Sequence, residues 1–312
     1  MSLPFSDSRT EEIMERAFDI KGRSLWQDAR IRLVRNRAAV ASIVILSIIA
    51  LLAIFGPLFV AYGYDQIDYS IVSCAPNWWP ASAASCNAGG SHWFGTDSIG
   101  RDLFVRVLIG ARVSLAVGVI ATVVSLFIGV TYGAIAGFIG GRVDGLLMRF
   151  VDVLYSIPYI FLVIILMMVF NRNFYLLFIA IGAVEWLTMA RIVRGQTLSI
   201  KQKEFIEAAR ASGVGSIGVI TRHIIPNVFG PVVVYVTLTV PASILAESFL
   251  SFLGLGIQEP MTSWGVLIAD GAAQMESAPW TLIFPALFMA VTLFCFNFIG
   301  DGLRDALDPR DR

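Results

Sequence analysis

Six long apolar segments constrain this chain more than any other feature of its sequence. They cover residues 38–61, 113–138, 150–170, 174–190, 231–253 and 280–299. A helix needs about 20 apolar residues to cross a hydrocarbon core of about 30 Å. The mean hydropathy of +0.75 and the 15% content of charged residues also lie outside the range of soluble domains. The sequence therefore predicts an all-α integral membrane protein with six transmembrane helices.

These segments define the expected organisation of the chain. Residues 1–37 form a polar, Arg-rich N-terminal segment without the short apolar core of a removable signal peptide. We expect a first transmembrane helix at 38–61, a long loop at 62–112, a five-helix core at 113–300 and a C-terminal tail at 301–312. Within the core, the loop 191–230 joins the fourth and fifth spans.

The distribution of positive charge predicts the orientation. With six spans, both termini lie on the same side of the membrane, and 19 of the 23 Lys and Arg residues then fall on that side. Positively charged flanks stay in the cytoplasm, so both termini and the loop 191–230 are predicted to be cytoplasmic. The net charge is zero, which gives no reason to expect a nucleic acid or another polyanion as a partner.

Two of the three cysteines, Cys74 and Cys86, fall in the long outward loop. An oxidising compartment would let them form a disulfide, and closing so short a loop would stabilise the fold by about 3 kcal/mol. The alternative is a pair of free thiols in a variable insert. Cys295 lies in the sixth span and is expected to act as a small hydrophobic residue.

Two features inside the spans can be interpreted either structurally or functionally. Small residues recur at every fourth position of the second span, a pattern that lets two helix backbones approach closely. They would pack within this subunit or against a partner. Pro158, Pro241 and Pro285 each remove a backbone donor and are expected to bend the third, fifth and sixth spans. Broken helices line wet cavities or are buried in protein.

Acidic residues inside apolar spans are the candidates for a pathway site. Glu185 lies in the fourth span and Glu247 in the fifth, six residues after Pro241. A carboxylate in a bilayer is costly, so each is a site hypothesis by default. Either they form hydrogen bonds between helices, or they line a translocation pathway or handle protons. Asp152 is expected to pair locally with Arg149.

A polar hairpin between the fourth and fifth spans is the most informative motif. Glu207, Ala208 and Ala209 lie on a short helix whose small side chains leave room for another protein to dock. Gly213 can end that helix by adopting a positive φ, and Pro226 is expected to prevent the helix from continuing unbroken into the fifth span. The sequence thus predicts a docking surface on the cytoplasmic side.

With these five residues the chain resembles the permease subunits of ATP-binding-cassette importers, whose coupling loop follows the pattern E-A-A-x3-G-x9-I-x-L-P. All five match the pattern, whereas His223 stands at its first Ile and Ile225 at its Leu. The resemblance implies the type I importer permease fold in a bacterial inner membrane, with Glu207, Ala208, Ala209, Gly213 and Pro226 coupling transport to ATP hydrolysis.

Further segments resemble the peptide-transporter branch of this family. They are 92–102 (HWFGTDSIGRD), 222–227 (RHIIPN), 247–256 (ESFLSFLGLG) and 302–309 (GLRDALDP). The N-terminal run 22–40 resembles the oligopeptide permease C subunits in particular, and only the insert around 73–91 is unplaced. In segment 92–102, Thr96 or Asp97 can cap a helix, and Asp102 is spaced to pair with Arg106. That segment would act as a structural collar or contact a substrate-delivery protein.

The chain contains no phosphate-binding loop of its own. Such a loop requires Gly-Lys followed by Ser or Thr, and the only lysines, Lys21, Lys201 and Lys203, precede Gly, Gln and Glu. The chain is therefore expected to be a transporter subunit without enzyme activity or a cofactor of its own. The resemblance implies two ATPase subunits that hold ATP and Mg, a homologous second permease, and an external peptide-binding protein that delivers oligopeptides.

Other functions remain possible on the residues alone. A permease for dipeptides or another small solute would share most of these motifs. A self-sufficient secondary transporter would use Glu185 and Glu247 as ion sites, and a membrane scaffold would carry no flux. His92 and His223 are predicted to lie on opposite faces of the membrane, so they cannot share a metal.

Overall fold

The computed structural model describes residues 25–76, 78–79, 92–169 and 174–307. The helices in the first half of the chain are α1 (Leu25–Arg35), α2 (Arg37–Phe55), α3 (Leu103–Ile139), α4 (Gly141–Ser156) and α5 (Tyr159–Val169). In the second half they are α6 (Phe174–Ile200), α7 (Glu204–Ala211), α8 (Ser216–Phe252), α9 (Trp264–Ala273) and α10 (Trp280–Leu307). Short 3-10 turns at Gly56–Leu58 and Tyr69–Ile71 follow α2.

The predicted membrane architecture is confirmed. Helices α2, α3, α6, α8 and α10 are long and apolar enough to cross a membrane, and a sixth span results if α4 and α5 together count as one. The first span ends at Phe55, before the predicted residue 61, whereas several other spans are longer than the apolar segments alone indicated. The second begins at Leu103, the fourth continues to Ile200 and the sixth to Leu307, because polar caps and amphipathic turns extend each helix beyond its apolar stretch.

The third span is a broken pair of helices. Helices α4 and α5 meet at an angle of 91°, with Pro158 in the break between Ser156 and Tyr159. Because the residue before a proline avoids the helical conformation, Ile157 is extended, with φ −81° and ψ 128°. The predicted bend at Pro158 is thus confirmed, and it is sharp enough to turn the chain through a right angle.

The structure shows no helix break at the two prolines predicted to bend the fifth and sixth spans. Pro241 and Pro285 are buried inside α8 and α10, which run through them as single helices. The prediction that Pro226 separates the coupling loop from the fifth span is wrong. The helix widens into a π turn at Ile220–Ile224, and the N–H of Ile225 reaches the carbonyl of Ile220. This wider turn leads α8 into Pro226 without a break.

The centre of the molecule is the close contact between α3 and α6. Helix α6 lies directly against three glycines of α3, which are Gly129, Gly133 and Gly137. A Cβ added at Gly137 would stand only 2.8 Å from the Cβ of Thr197 in α6. Gly182 of α6 faces α3 in the same way, against Val124. The small-residue stripe therefore packs within the subunit, which was one of its two predicted roles.

The helices alternate in direction and give the bundle two ends. The coupling end contains α1, α7, the C-terminus of α3 at Gly140 and the C-terminus of α10. Gly302 of α10 packs there against Leu33 and Ala39. The opposite end contains the described loop residues 56–76 and 92–102 and the segment 253–279, which includes α9. Which end faces the cytoplasm stays a prediction, based on the distribution of Lys and Arg.

Candidate functional site

Helix α7, the coupling helix predicted from the sequence, is anchored in the hydrophobic core of the bundle by one side chain. Ile206 is completely buried, in a hydrophobic cluster with Phe138 of α3, Val193 of α6 and Val219 of α8. The outward side of α7 carries the exposed residues Glu207 and Ala208. Ile206 therefore links this exposed side of α7 to three long helices at once, and the role of that side as a docking surface stays a prediction.

Gly213 ends α7 in the predicted way. Its φ is +82°, the left-handed region that favours glycine. The N–H of Val214 bonds to the carbonyl of Ala209 at 3.1 Å, and the N–H of Gly213 bonds to the carbonyl of Arg210 at 2.9 Å. These two bonds form a Schellman cap, which fixes the direction in which the chain leaves the helix.

Two cations, Lys201 just before α7 and Arg210 in its last turn, hold α7 to the end of α3. Lys201 donates from Nζ to the carbonyl of Gly137 at 2.8 Å, where the exposed carbonyls at a helix C-terminus attract positive charge. The guanidinium of Arg210 stacks over the Phe138 ring, 4.7 Å from its centroid. A displacement of α7 is therefore transmitted to α3 directly.

A cavity of about 810 Å³ lies between α4, α5, α6 and α8. It surrounds the break at Pro158, and its wall is mostly apolar. The polar lining includes Glu185, Thr188 and Tyr235. Tyr155, also in the wall, is about half exposed, which shows that the cavity is open on one side. The volume is in the range of small-ligand sites.

Glu185 is the carboxylate of this cavity. Its Oε2 accepts a hydrogen bond from Ser243 Oγ at 2.7 Å, so it also joins α6 to α8. It therefore forms the predicted helix-to-helix hydrogen bond and lines this cavity, and its place in a translocation pathway stays a prediction. Arg191, one and a half turns along α6, pairs with Asp152 at 2.6 Å. The predicted local pair of Asp152 with Arg149 is wrong, because α4 packs against α6.

Glu247 and Pro241 lie outside the residues that line this cavity. Glu247 is completely buried, and its Oε1 accepts hydrogen bonds from Ser251 at 2.6 Å and from Ser263 at 2.7 Å. Ser263 also caps α9. Glu247 therefore fixes the start of α9 against α8, which is the structural alternative of its two predicted roles.

The signature at 92–102 builds a buried polar cluster at the opposite end of the bundle. Asp102 caps α3 by accepting from Val105 N–H, and its other oxygen lies 2.7 Å from His92 Nδ1. The predicted pair of Asp102 with Arg106 is therefore wrong. The fully buried Arg106 lies instead beside Asp97, with 3.5 Å between Nε and Oδ2.

Arg101 connects this cluster to the loop before α9. Its side chain bonds Asp97 at 2.6 Å and Glu259 at 2.9 Å. Burial by itself would lower the pKa of Arg101, but the hydrogen bonds and charges of Asp97 and Glu259 raise it above its ordinary value. The arrangement is that of the structural collar predicted for the signature.

Cys74 is disulfide-bonded and Cys295 is a free, buried thiol. Cys86 lies outside the described residues, as does most of the insert 73–91. The pairing of Cys74 with Cys86 therefore stays a prediction.

Comparison with known proteins decides the family. The family described as "Binding-protein-dependent transport system inner membrane component" matches residues 129–312, and the "N-terminal TM domain of oligopeptide transport permease C" matches residues 24–76. The chain belongs to the binding-protein-dependent transport permeases. It is thus an inner-membrane transporter subunit rather than an enzyme, and its ATPase activity lies in partner subunits.

Several relatives are similar along nearly the whole chain. An oligopeptide transport system permease protein of Escherichia coli K12 is 58% identical over 312 residues, which is 100% of both chains. One from Haemophilus influenzae is 55% identical over 97% of this chain and 94% of its own. A dipeptide transport system permease protein of Bacillus subtilis is 43% identical over 93% of this chain and 87% of its own. Membership of this family argues against the self-sufficient secondary transporter and the scaffold.

Sequence reasoning missed most of the cavity. The aromatic residues that line it, Tyr155, Tyr159, Tyr235 and Phe249, come from α4, α5 and α8. A tyrosine in an apolar segment gives little local signal, since it serves equally well at a lipid interface or in a core. The break at Pro158, next to two of these tyrosines, was the one usable indication.

Proposed function

We propose that this permease carries oligopeptides across the inner membrane in an ATP-driven importer. The observation that supports this most strongly is the mechanical link from the exposed coupling helix to the cavity. Ile206 and Lys201 join α7 to α3, α6 and α8, and α6 and α8 form two walls of the cavity. A displacement of α7 would therefore change the shape of the cavity. The oligopeptide substrate is inferred from the names of the relatives that match the whole chain.

We infer the partners from the family to which the chain belongs, and the exposed surfaces suggest where each would bind. A homologous second permease would close the open side of the cavity, where Tyr155, Leu245 and Phe249 are each about half exposed. Two ATPase subunits, which hold ATP and Mg, would seat on this permease and on its homologue, here against Glu207 and Ala208. A periplasmic peptide-binding protein would deliver the substrate at the opposite end. Both termini and α7 then lie in the cytoplasm.

A dipeptide or another small solute is the second candidate. It is favoured by the 43% identity to the dipeptide permease of Bacillus subtilis. The identity of 55% to 58% to oligopeptide permeases favours the first candidate.

The decisive experiment isolates this chain from native membranes in a mild detergent. We expect a second permease and ATPase subunits to copurify with it, as identified by mass spectrometry, and the sample to hydrolyse ATP. Reconstituted with its binding protein, the complex should take up tripeptides to pentapeptides at the expense of ATP. A chain that purifies without ATPase subunits would refute the importer, and uptake restricted to dipeptides would select the second candidate.

A further inference from the structure

The charged groups that line the cavity between α4, α5, α6 and α8 are all of one kind, the carboxyl group. Glu185 is its only acidic lining residue, and the wall contains no Lys, Arg or His among the residues that the structure describes. Arg191, the nearest cation along α6, is held by Asp152 at 2.6 Å and stacks over Tyr155, 4.2 Å from the ring centroid. The cavity therefore holds a carboxyl group that no cation in its described wall pairs with.

The carboxylate of Glu185 has capacity left for a ligand. Its Oε2 accepts from Ser243, while Oε1 receives no hydrogen bond from the part of the chain that the structure describes. An ionised carboxylate can accept about four hydrogen bonds. Glu185 can therefore take a second donor that comes from the cavity.

A second polar group in the same wall has no partner. The hydroxyl of Tyr159 is buried, and no described residue forms a hydrogen bond with it. Buried polar groups in folded proteins nearly always have partners, so this hydroxyl has a hydrogen bond left to offer. Tyr159 follows Pro158, so the break between α4 and α5 places this residue in the cavity wall.

The rest of the wall suits an organic cation. Tyr155, Tyr235 and Phe249 contribute aromatic rings, whose electron-rich faces attract ammonium groups. A carboxylate among aromatic rings is the combination that binds a primary ammonium group. The described wall contains no cation that could pair with a carboxylate.

We propose that Glu185, with Tyr159 beside it, binds the α-ammonium group of a peptide during its passage through the permease. This rests on the proposed function, since it takes a peptide as the substrate. An oligopeptide has one N-terminal ammonium group whatever its side chains are. A site that binds this ammonium group and leaves the rest of the peptide against an apolar wall would accept peptides of many sequences. Such a site suits a pathway that is not specific for side chains.

The test uses the assembled importer in liposomes and a single reporter thiol. Ala242 is exposed and lines the cavity, next to Ser243, so Ala242→Cys places a thiol beside Glu185. The chain's own Cys74 is disulfide-bonded and Cys295 is buried, and labelling of this chain is read from its mass. A cationic and an anionic methanethiosulfonate reagent are compared, in the resting state and with ATP.

We expect the ratio of the cationic to the anionic labelling rate to fall at least about tenfold when Glu185→Gln is added. Glu185→Asp, which keeps the charge, should retain most of the ratio. An unchanged ratio in Glu185→Gln would overturn the proposal. Absence of labelling in both states would overturn it as well, because a path for peptides has to admit a smaller reagent.

Protection of the same thiol identifies the chemical group that is bound. Trialanine and trialanine C-terminal amide, which both keep the ammonium group, should slow the labelling, whereas N-acetyl-trialanine should not. Glu185→Gln should abolish this difference. Equal protection by the acetylated peptide would contradict the proposal. ATP-driven peptide uptake by the Ala242→Cys importer is measured in parallel, so that failure of the proposed function is distinguished from failure of this site.

Discussion

Arg194 of α6 makes two hydrogen bonds to Asp144 of α4, one from Nε to Oδ1 at 2.5 Å and one from Nη2 to Oδ2 at 2.7 Å. The pair links the first turn of α4 to the part of α6 that leads into the coupling loop. Its two parallel bonds fix an orientation as well as a distance. The broken third span is thereby attached to the same helix that carries Glu185.

Replacing Arg194 by Lys should destabilise the permease by about 1 kcal/mol, because Lys keeps the charge but cannot form the paired bonds. Asp144→Asn should cost a similar amount, and the double variant should cost less than the sum of the two. Thermal unfolding of the purified complex measures this. Arg142→Lys, at an exposed position in the same turn of α4, is the control and should have no effect. Additive costs would show that the pair contributes no coupling energy.

Gly213→Val should uncouple ATP hydrolysis from transport while leaving the protein in the membrane. A Cβ at Gly213 would meet no atom within 4 Å, so the effect comes from its φ of +82°, which costs a β-branched residue about 1–2 kcal/mol. That is roughly a tenfold change in a local equilibrium. The number of peptides imported per ATP hydrolysed is the measurement.

Gly213→Asn is the matched control, since Asn adopts positive φ more readily than other residues. It should retain most of the coupling. If Gly213→Asn and Gly213→Val were equally impaired, the left-handed conformation would not be the reason for glycine at this position.

Glu207→Lys should prevent docking of the ATPase subunits without unfolding the permease. The side chain is exposed, and reversing its charge in the first turn of α7 costs only about 0.3–1 kcal/mol in helix stability. We expect the amount of copurifying ATPase to fall roughly tenfold or more, as for a central interface residue. Glu207→Gln keeps the shape and should have a smaller effect. Normal peptide uptake by the Lys variant would contradict the role assigned to α7.

Gly133→Ala should destabilise the bundle by about 1–3 kcal/mol. The added Cβ would contact the carbonyl oxygen of Ala190 and lie 2.9 Å from the Cβ of Val193, so α3 and α6 would have to separate. The yield and melting temperature of the purified protein report this. Gly145→Ala, where nothing lies within 4 Å of the new Cβ, should be neutral or slightly stabilising. Equal melting temperatures for the two variants would show that close packing at Gly133 is not required.

The coupling loop was predictable from sequence because its signals are local. Gly213 needs only its own backbone and the preceding turn to end a helix, and the exposed position of Glu207 follows from the small alanines beside it. The error at Pro226 has an equally local origin. A proline restricts one turn, but the π turn at Ile220–Ile224 absorbed that restriction, and no residue pattern in the sequence indicates such a turn.

The cavity could not be predicted because its residues come from four helices. Glu185 and Glu247 both stood out as acidic residues in apolar segments. Only the packing of α8 decides that Glu185 lies in a cavity wall and that Glu247 is buried beneath α9. The partners of Asp152 and Asp144 are Arg191 and Arg194, which are 39 and 50 residues away. Helical spacing therefore favoured the wrong partner for Asp152.

The sequence by itself determined the membrane class, the approximate positions of the spans, and the short helix α7 with its glycine cap. These depend on hydrophobic length and on backbone preferences, which act within one or two helical turns. Only the tertiary structure decided the right angle at Pro158, the clamp of α4 on α6 and the placing of Glu185 in an open cavity. The last two depend on which helix faces which, and the close fit of Gly129, Gly133 and Gly137 against α6 is part of that arrangement.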